Sequence, residues 1–352
     1  MTRSEPMRIA MVGPVAQSIP PTRSGSVETV TALLTDGLVA SGHDVTLFAT
    51  ESSSTTAKLH PTFSHGYHED ASLWPWELCE LFNLAAAVER AAEFDVIHYQ
   101  AVFAPISLVF TRLCSTPIVL TLHHAPTQSE VMLWSHYPEA PFVAISASQE
   151  KLLAELNVVA TIHHAVDTER FVCHPQPEDY LVFLGRFTKG KGVLQAIDIA
   201  RRAGLRLVLA AAANDYYRNV IAPLVDDRQV VYAGELDHAA KVELLGGAQA
   251  LLYPVQSSEP FGLVMAEAMA CGTPVAALRR GAAAEIVDDG VTGGLFDSLD
   301  ELVDGLSGVM ALDRSRVRSR AVECFGPERM VAAHVEAYSR LVTERRGTER
   351  TA

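Results

Sequence analysis

The chain has 352 residues, 49% of them hydrophobic and 20% charged, the composition of a well-packed soluble protein and the length of two domains of about 150 residues or more. It has no run of about 18 apolar residues, which excludes an apolar membrane-spanning helix. The net charge of −14 sits mainly in the first half, where residues 1–168 carry 7 Lys/Arg against 17 Asp/Glu and residues 169–352 carry 21 against 25. This balance repels nucleic acid and anionic lipid headgroups at long range, so neither is an expected partner.

In chain order, Met1 to Pro6 lead into a first strand with no apolar signal region behind them. The strand Arg8-Ile9-Ala10-Met11-Val12 is followed by a loop rich in Pro and Gly. Helical spacing runs from Val27 to Val39, Gly42 ends it, and Val45 to Phe48 is the next strand. Further strands are expected at Val96 to Tyr99, Ile118 to Leu122 and Phe142 to Ile145, as the continuous apolar runs of parallel strands buried on both faces. The second half restarts the series. Tyr180 to Leu184 reads as a strand and Val193 to Ala203 as a helix, with strands again at Leu205 to Leu209, Val230 to Tyr232 and Leu251 to Tyr253. Two such series predict two doubly wound domains, 1–168 and 169–326, with His174 to Glu178 as a linker. Pro327 opens a last helix, expected to cover 327–345 and cross back to the first domain. Residues 346–352 read as a disordered tail. Five scattered cysteines, Cys79, Cys114, Cys173, Cys271 and Cys324, include no CxxC pair, which points to a reducing cytoplasm and away from a zinc or disulfide frame.

The densest chemistry lies in Glu259-Pro260-Phe261-Gly262-Leu263-Val264-Met265-Ala266-Glu267. Glu259 falls in the loop at the carboxyl end of the strand ending at Tyr253, and Glu267 on the helix that follows. The amides of Phe261 to Leu263 lie at the helix N-terminus, an anion site. An acid on either side of a phosphate-sized hole suits a ligand with hydroxyl groups at both ends. The second segment, Gly185-Arg186-Phe187-Thr188-Lys189-Gly190-Lys191-Gly192, follows the first strand of the second half at the edge where doubly wound sheets bind ligands. Two fixed cations there suit a leaving diphosphate, Arg as a bidentate fork and Lys as a point charge. Lys189 reads as a solvated loop charge. No Asp-x-Asp pair for a donor-bound cation occurs, nor a cluster with zinc spacing, so no metal site is expected.

The two glutamates with seven residues between them, the Pro-Phe-Gly-Leu insert and Gly272-Thr273-Pro274 resemble the corresponding motif of bacterial glycosyltransferase family 4. Arg186 and Lys191 match that family's Gly-Arg and Lys-Gly segment. The resemblance implies an α/β GT-B fold, two Rossmann-like doubly wound parallel-sheet domains facing a cleft. It also implies a retaining transfer from a nucleoside-diphosphate sugar, UDP by family habit. Carried over, Glu259 faces the transferred sugar, Glu267 the ribose, and Arg186, Lys191, Phe261, Gly262 and Leu263 the diphosphate. His123 matches a Thr-x-His segment near the sugar and is counted with Glu259, Arg186 and Lys191 as catalytic; His124 has the weaker case. Gly25-Ser26 stands where similar proteins place two glycines against the phosphates. A close backbone approach at Ser26 is therefore in doubt.

His163-His164-Ala165-Val166-Asp167 resembles the family's His-Asn-Gly-(apolar)-Asp turn with two replacements; if that turn needs positive φ, Ala165 is strained or the backbone differs. Asp167, Arg170 and Phe171 read as structural. Trp74, Trp76, Trp134, Tyr67 and Tyr137 are candidates for acceptor contact or for plain packing. The implied partners are a nucleotide-sugar donor and a small-molecule or saccharide acceptor, in the cytoplasm, with no permanently bound cofactor. Two alternatives stay open: a nucleotide-sugar epimerase of similar architecture, and a catalytically silent sugar-nucleotide binding protein.

Overall fold

The computed structural model describes residues 5–100 and 104–351. Met1 to Ser4 and Ala352, which the terminal readings include, lie outside the described residues. The chain divides into two compact units, residues 1–164 with 327–352, and residues 165–326.

The first unit is a seven-stranded parallel sheet. Its strands are β1 (Arg8–Val12), β2 (Asp44–Thr50), β3 (Lys58–Phe63), β4 (Val96–Tyr99), β5 (Ile118–Thr121), β6 (Phe142–Ala144) and β7 (Val158–Thr161), in the order β3-β2-β1-β4-β5-β6-β7. The helices are α1 (Ser26–Ala40), α2 (Trp76–Glu89), α3 (Ala104–Leu113), α4 (Gln128–Trp134) and α5 (Ala147–Leu152). Strand order reverses between β1 and β4, so the loops after these strands flank the switch point at which open α/β sheets bind ligands. Every residue of β4 and β5 is buried, because helices cover both faces of the central strands. Phe48, Tyr99, Trp134 and Phe142 are the largest side chains of this core.

The second unit repeats the plan with six parallel strands. They are β8 (Leu181–Leu184), β9 (Leu207–Ala210), β10 (Val230–Gly234), β11 (Ala250–Tyr253), β12 (Val275–Leu278) and β13 (Gly293–Phe296), in the order β10-β9-β8-β11-β12-β13. Helices α6 (Val193–Ala203), α7 (His238–Gly247), α8 (Leu263–Ala270), α9 (Ala283–Ile286), α10 (Leu299–Met310) and α11 (Arg314–Phe325) surround the sheet. Here the switch point lies between β8 and β11. Its core gathers Phe183, Phe187, Leu252 and Leu306.

The change of unit falls between His164 and Ala165, ahead of the 168/169 break expected from the sequence. The Val166 N–H donates to the Phe325 carbonyl at 2.9 Å, and the Arg318 guanidinium donates to the Thr168 and Phe171 carbonyls, so this segment is anchored to α11. The expected linker is exposed from Pro175 to Glu178 and tied at both ends. Arg314, itself buried, donates to the His174 carbonyl at 2.7 Å, and the Glu178 N–H donates to the Gly247 carbonyl at 2.7 Å.

The last helix, α12 (Pro327–Thr351), belongs to the first unit and packs on α1, Val331 lying against Gly37. It is helical through Thr351, where the charge pattern reads as a tail; Glu and Arg are good helix formers. Among the described residues, no helix is long and apolar enough to cross a membrane.

Candidate functional site

In the second unit, four of the expected site side chains are brought to the carboxyl edges of two adjacent strands. Arg186 and Lys191 follow β8, while Glu259 and Glu267 follow β11. A 3-10 turn at Lys189–Lys191, capped by the Thr188 hydroxyl, presents Lys191. That turn is tied to the neighbouring loop, since the Gln256 N–H donates to the Gly190 carbonyl at 2.8 Å. The result is a direct ion pair, Lys191 Nζ donating to Glu259 Oε2 at 2.5 Å, with both side chains about one-fifth exposed. Arg186 is exposed and makes no hydrogen bond or ion pair among the described residues.

Helix α8 begins at Gly262, its N-cap, with φ 84° and no side-chain cap. A Cβ there would meet both the left-handed backbone penalty and the Tyr253 hydroxyl, so glycine is required. With no side chain over the helix start, the leading amides face outward as an anion site. Phe261 is buried and packs edge-on against Phe325, holding the turn from below. The Glu259 backbone is clamped from the other side. The Ala282 N–H donates to its carbonyl at 3.0 Å, and Gly281, at φ 54°, leaves no room for a Cβ against that backbone. This clamp comes from the loop after β12 and has no signature near the two glutamates in sequence.

Glu267 is nearly buried on α8 and takes a bond from Lys241 Nζ to Oε1 at 2.6 Å. Lys241, on α7, was not singled out by the sequence. Among the described residues no group of three or more His, Cys, Asp or Glu side chains is arranged to hold a metal ion.

In the first unit, Gly25 is the N-cap of α1, packed against Gln17, Glu28 and Pro21. Ser26 is exposed as the first helical residue, so its side chain is accommodated without displacing the turn. The loop before them is braced by α2. Buried Glu80 accepts from the Val15 N–H and the Tyr67 hydroxyl, each at 3.1 Å, and Asn83 donates to the Gly13 carbonyl at 2.9 Å. Burial raises the Glu80 carboxyl to about 7, against the bonds from Val15 and Tyr67 that favour its charged form.

His123 lies just past β5, but its ring is engaged within the protein. Nε2 donates to the Gln100 side-chain carbonyl at 2.8 Å, and Nδ1 faces His164 Nε2 at 3.3 Å in a stacked arrangement. Burial first, then His124 and His334, lower its pKa to about 3, which keeps the ring in its neutral form. His98 continues the network, bonded to Tyr338 Oη at 2.5 Å and to Thr121 Oγ1 at 2.7 Å. His98 and His164 are held well below the ordinary histidine value, chiefly by burial, and His334 falls to about 4 for the same reason. Ala165 is not strained. Among the described residues Asp227 alone of the non-glycines has positive φ, so the backbone at the replaced turn differs from one that needs glycine.

His124 Nε2 donates to the Glu130 carboxylate at 3.1 Å, beside the capping box of α4. Among the aromatic candidates Trp134 is fully buried against Phe142 and is core, while Trp74 is 74% exposed. Tyr67 is committed to Glu80, and Tyr137 lies beneath the Arg112 guanidinium at 4.4 Å.

Two Rossmann-like parallel-sheet domains, the second with charged groups at its switch point, are the architecture of the GT-B class of glycosyltransferase. The family of glycosyl transferases group 1 matches residues 167–321, and Glycosyltransferase Family 4 matches residues 27–170. The chain is 26% identical to the phosphatidyl-myo-inositol mannosyltransferase of Mycolicibacterium smegmatis, over 88% of this chain and 86% of that protein. Its fold is that of AviGT4, a glycosyltransferase involved in avilamycin A biosynthesis, with TM-score 0.72 and 24% identity over 96% of this chain and 98% of that one. The Anabaena HepE structure with UDP and glucose has the same fold, with TM-score 0.69 and 18% identity over 95% and 99% of the two chains. The protein is a glycosyltransferase, similar to Glycosyltransferase Family 4 over residues 27–170 and to glycosyl transferases group 1 over residues 167–321. Neither an epimerase nor a silent binding protein is favoured by these matches.

Proposed function

We propose that the enzyme moves a glycosyl group from a UDP-sugar to an acceptor hydroxyl, with retention at the anomeric carbon and without a metal ion. One observation carries the reading: Arg186, Lys191, the start of α8, Glu259 and Glu267 share the carboxyl edges of adjacent strands in one unit. As the bond from the anomeric carbon to the diphosphate breaks, negative charge grows on the leaving group. Arg186, Lys191 and the Phe261–Leu263 amides stabilise it, and preorganised groups of this kind need not rearrange during the step. Glu259 orients the sugar, and Glu267 accepts from the ribose. Gly25, Ser26 and His123 are proposed donor contacts, supported by their places after β1 and β5. Because both ring nitrogens of His123 are engaged, any contact it makes in the resting arrangement goes through its backbone or ring edge.

Retention follows a front-face route in this reading. The acceptor oxygen attacks on the side from which the diphosphate departs, and a leaving phosphate oxygen takes the acceptor's proton. Glu259 is the carboxylate nearest the proposed chemistry, and its bond from Lys191 weakens it as a covalent nucleophile. The same ion pair must open when Lys191 turns to the diphosphate. The acidic first half favours an acceptor not carried at an anionic membrane; a lipid acceptor of the kind named in the M. smegmatis relative is the competing outcome.

A thermal-shift panel of nucleoside diphosphates and UDP-sugars, followed by NMR of products formed with candidate acceptors, tests this. Stabilisation by UDP and an axial-to-axial or equatorial-to-equatorial outcome at the anomeric carbon are expected. No stabilisation by any nucleotide removes the donor site.

A further inference from the structure

The pairing of Lys241 with Glu267 has no part in the diphosphate chemistry above, yet it is as well built. The Glu267 side chain is 8% exposed, and a buried carboxylate needs a partner. Lys241 supplies one from another element, α7, whose first turn is fixed by Asp237 accepting from the Ala240 N–H at 2.9 Å. Its Nζ also lies 5.1 Å from the centre of the Phe171 ring. Phe171 is 3% exposed, is anchored by its N–H to the Asp167 carbonyl, and is met edge-on by His238 at 5.0 Å. The ammonium is therefore held from two sides, and its short bond goes to one oxygen of the carboxylate, Oε1. A counter-charge alone would not set the rotation of the carboxylate. A braced donor on one oxygen does, and it leaves Oε2 as the oxygen with no protein donor among the described residues.

We propose that Lys241, braced by Phe171, is a positioning residue for ribose recognition: it fixes Glu267 so that the second carboxylate oxygen is presented to a ribose hydroxyl. This rests on Glu267 being the ribose ligand. It assigns a role to Phe171, whose place in the sequence reads as structural, and to Lys241, which no motif marks.

The test is calorimetric binding of UDP and of 2′,3′-dideoxy-UDP to the full chain and to Lys241→Met, Lys241→Arg and Glu267→Gln. A hydroxyl bonded to an ionised carboxylate is worth on the order of tenfold or more in affinity. The unsubstituted protein is expected to prefer UDP by at least about that factor. Lys241→Met is expected to reduce the preference to about threefold or less, with its affinity for dideoxy-UDP nearly unchanged, and Lys241→Arg to restore it. A purely structural lysine would weaken both ligands together. If the unsubstituted protein binds the two ligands equally, or binds neither, the ribose reading of Glu267 fails. If it discriminates and Lys241→Met discriminates just as well, the ribose reading stands and the role of Lys241 is overturned. Should Lys241→Met not fold, Lys241→Gln takes its place in the same comparison.

Discussion

In the first unit a buried histidine cluster and Glu80 are held toward their neutral forms, whereas in the second the site side chains stand in ion pairs. His98, His123, His164 and His334 form a cluster of uncharged imidazoles under α12, linked through Gln100, Thr121 and Tyr338, and Glu80 is a carboxyl pushed toward its protonated form. The second unit instead pairs Lys191 with Glu259 and Lys241 with Glu267. Neutral networks of this kind fix backbone and side-chain geometry and carry no field that could attract an anion. Paired ions keep their charge available, because a ligand can replace one partner. The difference teaches that a doubly wound fold used twice can divide its work, one copy holding loops in place and the other meeting charge.

The largest expected effect breaks the second half of this comparison. Lys191→Ala and Glu259→Ala should each cost about a hundredfold or more in transfer, while the thermal midpoint stays within a few degrees. Assays of turnover and unfolding on the purified variants check this, and full activity in either removes the site assignment.

The next prediction concerns the imidazoles. Their folded-state values lie below the unfolded value near 6.5, so the unfolded chain binds more protons below that pH. Stability is fully present above pH about 6.5 and is lost as the pH falls toward 4. Denaturant unfolding at pH 7.5, 6 and 5 measures the slope, and His334→Leu should lower it by one proton. An unchanged slope in that variant would place His334 outside the cluster.

Glu80 has the opposite sign. Its folded value is raised, so the folded state holds a proton that the unfolded chain releases between pH about 4.5 and 7. Stability from this group is present in acid and is lost as pH rises through that window, by at most about 3 kcal/mol. Glu80→Gln, which keeps an acceptor for Val15 and Tyr67, should gain stability relative to the parent at pH 8 and little at pH 4.5. A gain that is equal at both would show that titration of Glu80 is not its cause.

The smallest effect sharpens the idea of exchangeable partners. Freed of its carboxylate, Lys191 should bind the diphosphate better, so Glu259→Ala should tighten UDP binding by up to about fivefold while losing transfer. Weaker UDP binding in that variant would mean that Glu259 serves the nucleotide as well as the sugar.

Much of this architecture is legible in the sequence because central parallel strands, buried on both faces, read as unbroken apolar runs. The edge strands are harder. β3, Lys-Leu-His-Pro-Thr-Phe, is half exposed and pairs only with β2, and β13 opens with two glycines, so neither has an apolar run to find. The same contrast holds at the site. Glu259, Glu267, Arg186 and Lys191 sit in short local motifs that follow strands. Lys241, Gly281 and Gln100 join the site through tertiary contacts alone, and nothing adjacent to them in sequence announces it. For His123, position is legible but availability is not, since the partners that occupy its ring come from β4's end and from His164.

The central claim is that a metal-free pair of cations on the second unit receives the donor's diphosphate. Calorimetric titration of UDP in the presence of EDTA, into the unsubstituted protein and into an Arg186→Ala, Lys191→Ala double variant, tests it most directly. Saturable binding by the former and its loss by a hundredfold or more in the latter is the predicted result. Binding that appears only when a divalent cation is added, or that survives in the double variant, would contradict it.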